Sequence, residues 1–305
     1  MAAVDRVVLV GGSNLFDTGR IGVLGTLRLL QCVLPALAAQ NLGVRYALVG
    51  HTLGPVETRL GRALMRRVVN GASLVVVREE LSAAFVNDEL GLNLGDRLAV
   101  SPDVAFVTEP ADADRVRDLV GCHARDERVA ILVPRSYHHR DDVRDSRLVG
   151  ELVRLGRLAL HTSMATVVLV FSQCLGPTAI EDDRIIARRV AAADPRFRLV
   201  EDDLAPAEVA QLFSMSRFVV AVRLHAVILA LSVGTPVHAI EYFTNKTRGV
   251  LASFGLDEHW SEFDSFDAER ALGQISQLIE SARGQLVDRA ASTSARVEMV
   301  GDALS

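Results

Sequence analysis

Lysine is almost missing from this chain of 305 residues: Lys246 is the only one, and arginine carries nearly all of the positive charge. With a formal net charge of −5 there is no concentrated basic field to neutralise phosphates, so a nucleic-acid binder is not expected. Cysteine is scarce as well. Cys32, Cys122 and Cys174 are odd in number and widely scattered, which argues against a disulfide framework or a zinc knuckle and fits a reducing cytoplasm. No apolar run approaches the roughly 20 residues that span a bilayer, and the start Met-Ala-Ala-Val-Asp-Arg lacks the layout of a signal peptide. We therefore expect a soluble, cytoplasmic protein without an integral membrane segment, for which peripheral membrane contact stays compatible. No G-x-G-x-x-G is present, so the dinucleotide fingerprint is absent too.

Half of the residues are hydrophobic, and the length suits two domains. Short β-branched runs alternate with segments of helical length. In the first half, strands are expected at 7–10, 46–49 and 73–77, and helices at 24–40, 60–70 and 81–90. The stretch 101–106 closes this half. A segment rich in Asp, Arg, Pro and Ala over 108–128 reads as the connection plus one short helix, with the boundary near 108–126, giving an N-terminal domain over 1–110 and a C-terminal domain over 126–290, with 291–305 as a helical end. The second half repeats the theme with strands at 129–133, 166–171, 197–200, 218–222 and 237–240. Helices are expected at 145–164, near 182–193, at 204–214, 226–233 and 246–254, and as one long helix from 267 onward. This alternation predicts an α/β chain of two Rossmann-like, doubly wound parallel-sheet domains.

Most strands end in glycine or polar residues, which furnishes one edge of each sheet for binding. Gly11-Gly12-Ser13 with Asp17 follows the first strand, Gly50-His51-Thr52-Leu53-Gly54-Pro55 the second and Arg78-Glu79 the third, while Asp103 follows in 101–106. Here Asp103 reads as a cap, a turn former or a site carboxylate. In the second half Pro134-Arg135-Ser136 and Arg223-Leu224-His225 stand at the ends of two strands. Adjacent His138 and His139 lack a third ligand at helical spacing and read as an exposed loop, so no metal site is expected.

The triplet at 223–225 has the most chemistry. It lies between a strand's C-terminal end and a helix's N-terminal end, where free backbone N–H groups and the helix dipole favour an anion. An arginine there adds a planar fork for carboxylate or phosphate, and a histidine titrates near neutrality. Taken alone, the triplet leaves a second reading open: a hydrogen-bonded histidine beside an apolar helix, and an arginine in a surface ion pair.

Several motifs together resemble the polysaccharide pyruvyltransferase family. They are Gly11-Gly12-Ser13 with Asp17; His51-Thr52-Leu53-Gly54-Pro55 after Gly50; Val77-Arg78-Glu79 with Ser82; Asp103-Val104-Ala105-Phe106; and Arg223-Leu224-His225-Ala226 followed by Gly234-Thr235-Pro236, Tyr242 and Lys246. Their order holds from residue 7 to 256. The resemblance implies a fold similar to the glycosyltransferase type B arrangement, with an active site in the cleft between the halves. The N-terminal domain is expected to be shortened, because the family's earlier strand and helix are not matched. The implied activity is transfer of pyruvate from phosphoenolpyruvate to two hydroxyls of a glycan or glycolipid acceptor, forming a cyclic ketal, with no cofactor beyond the donor substrate.

Carried over by position, Arg223 and His225 look catalytic and Leu224 completes the donor triplet. Arg135 and Lys246 look like further donor-binding residues, and Gly11, Gly12, Asp17, Gly54 and Asp103 like the acceptor or cleft side. Ketal formation needs a proton delivered to the enol carbon, a hydroxyl deprotonated and phosphate expelled. A histidine in such a role typically contributes about 10²–10⁴-fold. Two alternatives share the expected fold: a nucleotide-sugar glycosyltransferase and a non-catalytic carbohydrate-binding relative.

Overall fold

The β-branched and apolar runs build two separate parallel sheets. The computed structural model describes residues 4–17, 23–122, 128–137, 142–172, 182–241, 246–281 and 283–302. The chain divides into two compact units, Met1–Val104 with Arg296–Ser305, and Ala105–Ala295. The expected connection over 108–128 thus falls within the second unit, where α4 (Ala113–Val120) carries a cap from Asp112, whose carboxylate accepts from the Asp114 and Arg115 amides.

In the first unit, strands β1 (Arg6–Asp17), β2 (Arg45–Val56), β3 (Leu74–Val77) and β4 (Leu98–Val100) pair in parallel in the order β1-β2-β3-β4. Strands added in one direction by right-handed crossovers place their helices on one face. Accordingly α1 (Val23–Asn41), α2 (Arg59–Gly71) and α3 (Glu80–Ala84) enclose a core of Leu29, Val33, Tyr46, Leu48, Met65, Val75 and Phe85. β1 and β2 both run further than expected, through glycines that read as strand ends. Two register shifts, between Gly12 and Leu15 and between Leu15 and Asp17, let the ladder continue past them. Among the described residues β1 is an edge strand, and Val8, Val10, Leu24, Leu27 and Leu34 on it and on α1 are exposed.

In the second unit the order is β10-β9-β8-β5-β6-β7. From β5 (Val129–Val133) the chain moves outward one way through β6 (Val167–Phe171) and β7 (Phe197–Val200). It then returns to β8 (Ser216–Ala221) and moves the other way through β9 (Val237–Glu241) and β10 (Trp260–Glu262). This sheet is doubly wound, with its topological switch between β5 and β8. Helices α5 (Asp142–His161) and α6 (Arg184–Ala192) pack on one face with α10 (Ala268–Ser281), around Leu132, Leu152, Leu155, Val168, Ile186 and Ile275. Helices α7 (Pro206–Ser214), α8 (Leu224–Ser232) and α9 (Lys246–Ser253) connect the other strands.

Strands β4 and β10 are each only three residues long, too short for a periodic signal. Beyond residue 267 the structure describes α10 and α11 (Arg283–Asp302), and α10 packs against α5. His138, His139 and Tyr242 lie outside the described residues.

Candidate active site

The site begins with two neighbouring strands. β5 and β8 run parallel in register, Ala221 opposite Val133, and the Val222 amide donates to the Val133 carbonyl at 3.1 Å. Both strands are fully buried at these positions, and both chains turn polar two residues later, at Arg135 and Arg223. The two arginines therefore leave adjacent strand ends at the same level, at the topological switch. In open α/β sheets this crevice beyond the strands' carboxyl ends is where ligands bind.

Arg223 is the N-cap of α8, with extended backbone (φ −83, ψ 129), and its side chain does not cap the helix. Its carbonyl accepts the first helical bonds, from the Ala226 and Val227 amides at 3.1 and 3.2 Å. The Leu224 and His225 amides precede those bonds in the first turn, the end of a helix that favours an anion. The helix itself is almost wholly apolar and its residues Ala226–Leu231 are buried, so tertiary packing holds the first turn in place. The chain leaves α8 through Gly234 at φ +68, where the Thr235 amide reaches back to the Ala230 carbonyl at 2.9 Å. Leu224 is half-buried and His225 is exposed on this turn.

The Arg223 guanidinium is held from one side. Its Nε donates to Asp183 Oδ2 at 2.7 Å and its Nη2 to Asp183 Oδ1 at 2.8 Å, a bidentate pair in which the Asp183 side chain is 1% exposed and that of Arg223 19%. In the sequence Asp183 is one of two aspartates at the start of the helix expected near 182–193. The pair spans 40 residues, and nothing local signals it.

β9 extends the row. Ala239 is opposite Ala221, so Glu241 stands level with Arg223 on the next strand. Glu241 is buried and accepts from Arg248 Nε at 2.6 Å, while the Arg248 guanidinium lies 3.6 Å above the Trp260 ring. Burial pushes the Glu241 carboxyl above the ordinary range, against the opposing effect of Arg248. Sequence reasoning assigned Glu241 no role, because it sat in a polar run whose register with β8 only the pairing reveals. Lys246 begins α9, five residues beyond Glu241.

In the first unit the candidate residues are tied into the fold. Asp17, at the end of β1, is 1% exposed and accepts from Thr26 Oγ1 at 2.7 Å and from Thr58 Oγ1, joining the strand to α1 and to the N-cap of α2. Asp103 accepts from Arg78 Nη1 in a pair whose side chains are 7% and 6% exposed. Arg78 Nη2 also donates to Thr52 Oγ1 at 2.8 Å, and Glu79 accepts from Thr52 and Ser82, so one polar network closes the C-terminal ends of β2 and β3. His51 is buried with its Nε2 at 3.1 Å from the Leu9 carbonyl, and desolvation lowers its pKa. Gly54 has φ +76, and a Cβ there would meet the Phe85 ring at 2.7 Å, so packing already demands glycine. Gly11 and Gly12 both have positive φ, where β1 runs beside Gly50.

Among the described residues no group of three or more His, Cys, Asp or Glu is arranged to hold a metal, and no helix is long and apolar enough to cross a membrane.

The family model for polysaccharide pyruvyl transferase matches residues 3–244. The chain belongs to this family. Among curated proteins, it is 22% identical over 287 residues to the amylovoran biosynthesis protein AmsJ of Erwinia amylovora, covering 91% of this chain and 66% of that protein. The chain thus spans just under two thirds of that relative's length.

Solved structures share the fold at low identity. A UDP-GlcNAc 2-epimerase from Neisseria meningitidis bound to UDP-GlcNAc is 14% identical, with a TM-score of 0.62 over 98% of this chain and 76% of its own. A putative UDP-N-acetylglucosamine 2-epimerase from Listeria monocytogenes is 16% identical, with a TM-score of 0.63 over 98% and 74%. Anabaena HepE in complex with UDP and glucose is 14% identical, with a TM-score of 0.55 over 94% and 83%. These matches agree with a glycosyltransferase B-like pair of parallel-sheet domains for this family member.

Proposed function

We propose that this chain transfers pyruvate from phosphoenolpyruvate to two hydroxyls of a glycan or glycolipid, forming a cyclic ketal and releasing phosphate. The observation that carries the reading is the level pair Arg135 and Arg223 at the β5–β8 switch, beside the first turn of α8. Family membership and similarity to an amylovoran biosynthesis protein support a polysaccharide-modifying transferase.

Phosphoenolpyruvate carries a carboxylate and a phosphate, and two guanidinium forks with a helix N-terminus suit both anions. The reaction balances without an oxidant or a metal. The enol CH₂ carbon gains a proton and becomes a methyl group, and one hydroxyl oxygen bonds to the adjacent carbon. The second hydroxyl oxygen then bonds to that carbon as the C–O bond to phosphate breaks. Of the two hydroxyl protons, one is matched by the new methyl hydrogen and one leaves with phosphate. His225, exposed on the first turn of α8, is the proton carrier; Arg223, Leu224, Arg135 and Lys246 form the donor side. Gly11, Gly12, Asp17, Gly54 and Asp103, the acceptor-side residues that the family resemblance implies, belong to the first unit.

Purified protein incubated with phosphoenolpyruvate and a panel of glycosyl acceptors tests this directly. Phosphate release is expected only when donor and acceptor are both present, and His225→Ala should lower it by about 10²–10⁴-fold with the fold intact. Unchanged release in that variant removes the mechanism. The names of the UDP-sugar proteins that share the fold keep a nucleotide-sugar transferase as the second reading, favoured by binding of a UDP-sugar with no affinity for phosphoenolpyruvate.

A further inference from the structure

Asp183 occupies the N-cap position of α6, where an aspartate ordinarily accepts a hydrogen bond from its own helix, yet its side chain makes no cap bond. The neighbouring Asp182 takes over that local work, accepting from the Arg184 amide at 3.0 Å and pairing with the Arg184 guanidinium. The Asp183 carboxylate instead reaches across to Arg223 and engages Nε and Nη2 through both oxygens, while being 1% exposed. A buried carboxylate with two parallel bonds fixes the plane of a guanidinium as well as its position.

We propose that Asp183 is the positioning residue of the donor site, acting through Arg223. This rests on the reading of the β5–β8 crevice as a phosphoenolpyruvate site. The carboxylate takes the Nε side of the fork and so fixes the direction of the whole guanidinium. The start of α6 thereby sets the orientation of an arginine that stands between β8 and α8.

The test is a double-mutant cycle on the full chain, read by calorimetric binding of phosphoenolpyruvate and by KM against kcat for phosphate release. Asp183→Asn and Asp183→Ala should weaken binding roughly 10- to 100-fold, the scale on which supporting residues act on the groups they orient. KM should rise more than kcat falls, thermal unfolding should stay cooperative, and Asp183→Glu should restore part of the affinity. In an Arg223→Ala background, adding Asp183→Ala should change affinity by less than about twofold, because the residue through which it acts is gone. Losses that multiply independently, or an Asp183→Asn variant that binds like wild type, overturn the proposal while leaving the donor site standing. Wild-type protein that neither binds nor consumes phosphoenolpyruvate overturns the reading of the site, and this proposal with it.

Discussion

Replacing Asp103 by alanine should destabilise the first unit severely, and the structure sets the scale. The Asp103 carboxylate meets the Arg78 guanidinium where both side chains are more than nine-tenths buried. Removing one partner of such a pair leaves a buried charge poorly compensated, which costs about 3–5 kcal/mol. For a unit of this size that corresponds to a fall of at least about 10 °C in its Tm. Removing both charges, as in Arg78→Met with Asp103→Leu, should recover most of the loss, because apolar groups of similar volume in place of a buried pair are often neutral.

The chain supplies a convenient separation of signals for this experiment. Trp260 is the only tryptophan and lies in the second unit, so its fluorescence follows that unit, whereas far-ultraviolet circular dichroism follows both. Asp103→Ala should split the transition: part of the dichroism lost at lower temperature, and the Trp260 signal moved little. A single variant within about 1 kcal/mol of wild type, or a double variant as unstable as the single one, refutes the argument. If the double variant folds, its phosphate release then tells whether Asp103 serves the acceptor as well as the fold.

Other outcomes follow from the same geometry. His238 is fully buried, with Nε2 2.9 Å from Ser261 Oγ, and burial, aided by the positive surroundings of His259 and Arg270, pushes its pKa down to about 3. Its folded pKa lies below the unfolded value near 6.5, so its contribution to stability is complete above about pH 6.5 and is lost as pH falls toward 3. The limiting slope is about 1.4 kcal/mol per pH unit, and denaturant midpoints against pH should flatten in a His238→Gln variant. Gly156→Ala places a Cβ 2.5 Å from Phe197 Cζ, so it should destabilise the second unit by about 1–3 kcal/mol, relieved in a Phe197→Leu background. Arg135→Ala should raise the KM for phosphoenolpyruvate at least tenfold, a loss of about 1.4 kcal/mol or more; an unchanged KM would detach Arg135 from the donor site.

Much of the fold was legible because it depends on local patterns. The apolar runs at 129–133 and 166–171 became β5 and β6, whose residues are all buried, since a strand buried on both faces has no alternative to continuous apolar residues. Boundaries were misread where glycine and proline seemed to stop a strand. At Gly50 to Pro55 the parallel ladder with β1 continued through register shifts that local propensity does not encode. Alternation of strands and helices specifies parallel pairing, whereas the order of strands depends on which of them meet.

For the candidate site the division is sharper. The sequence by itself determined that an arginine, a leucine and a histidine stand between a buried strand and an apolar helix, because only that pattern of residues allows a strand to end and a helix to begin there. It also placed Arg135 at another strand's end. That the two ends are neighbours at the same level was decided by the pairing of β5 with β8 across some 90 residues of chain. The partner of Arg223 was decided likewise by tertiary structure, since Asp183 reaches it from the start of α6. The same holds for Asp17 and Asp103, whose carboxylates a sequence cannot assign to solvent or to interior. Burial is a property of what packs against a residue, and here Thr26, Thr58 and Arg78 arrive from other elements to tie both carboxylates into the fold.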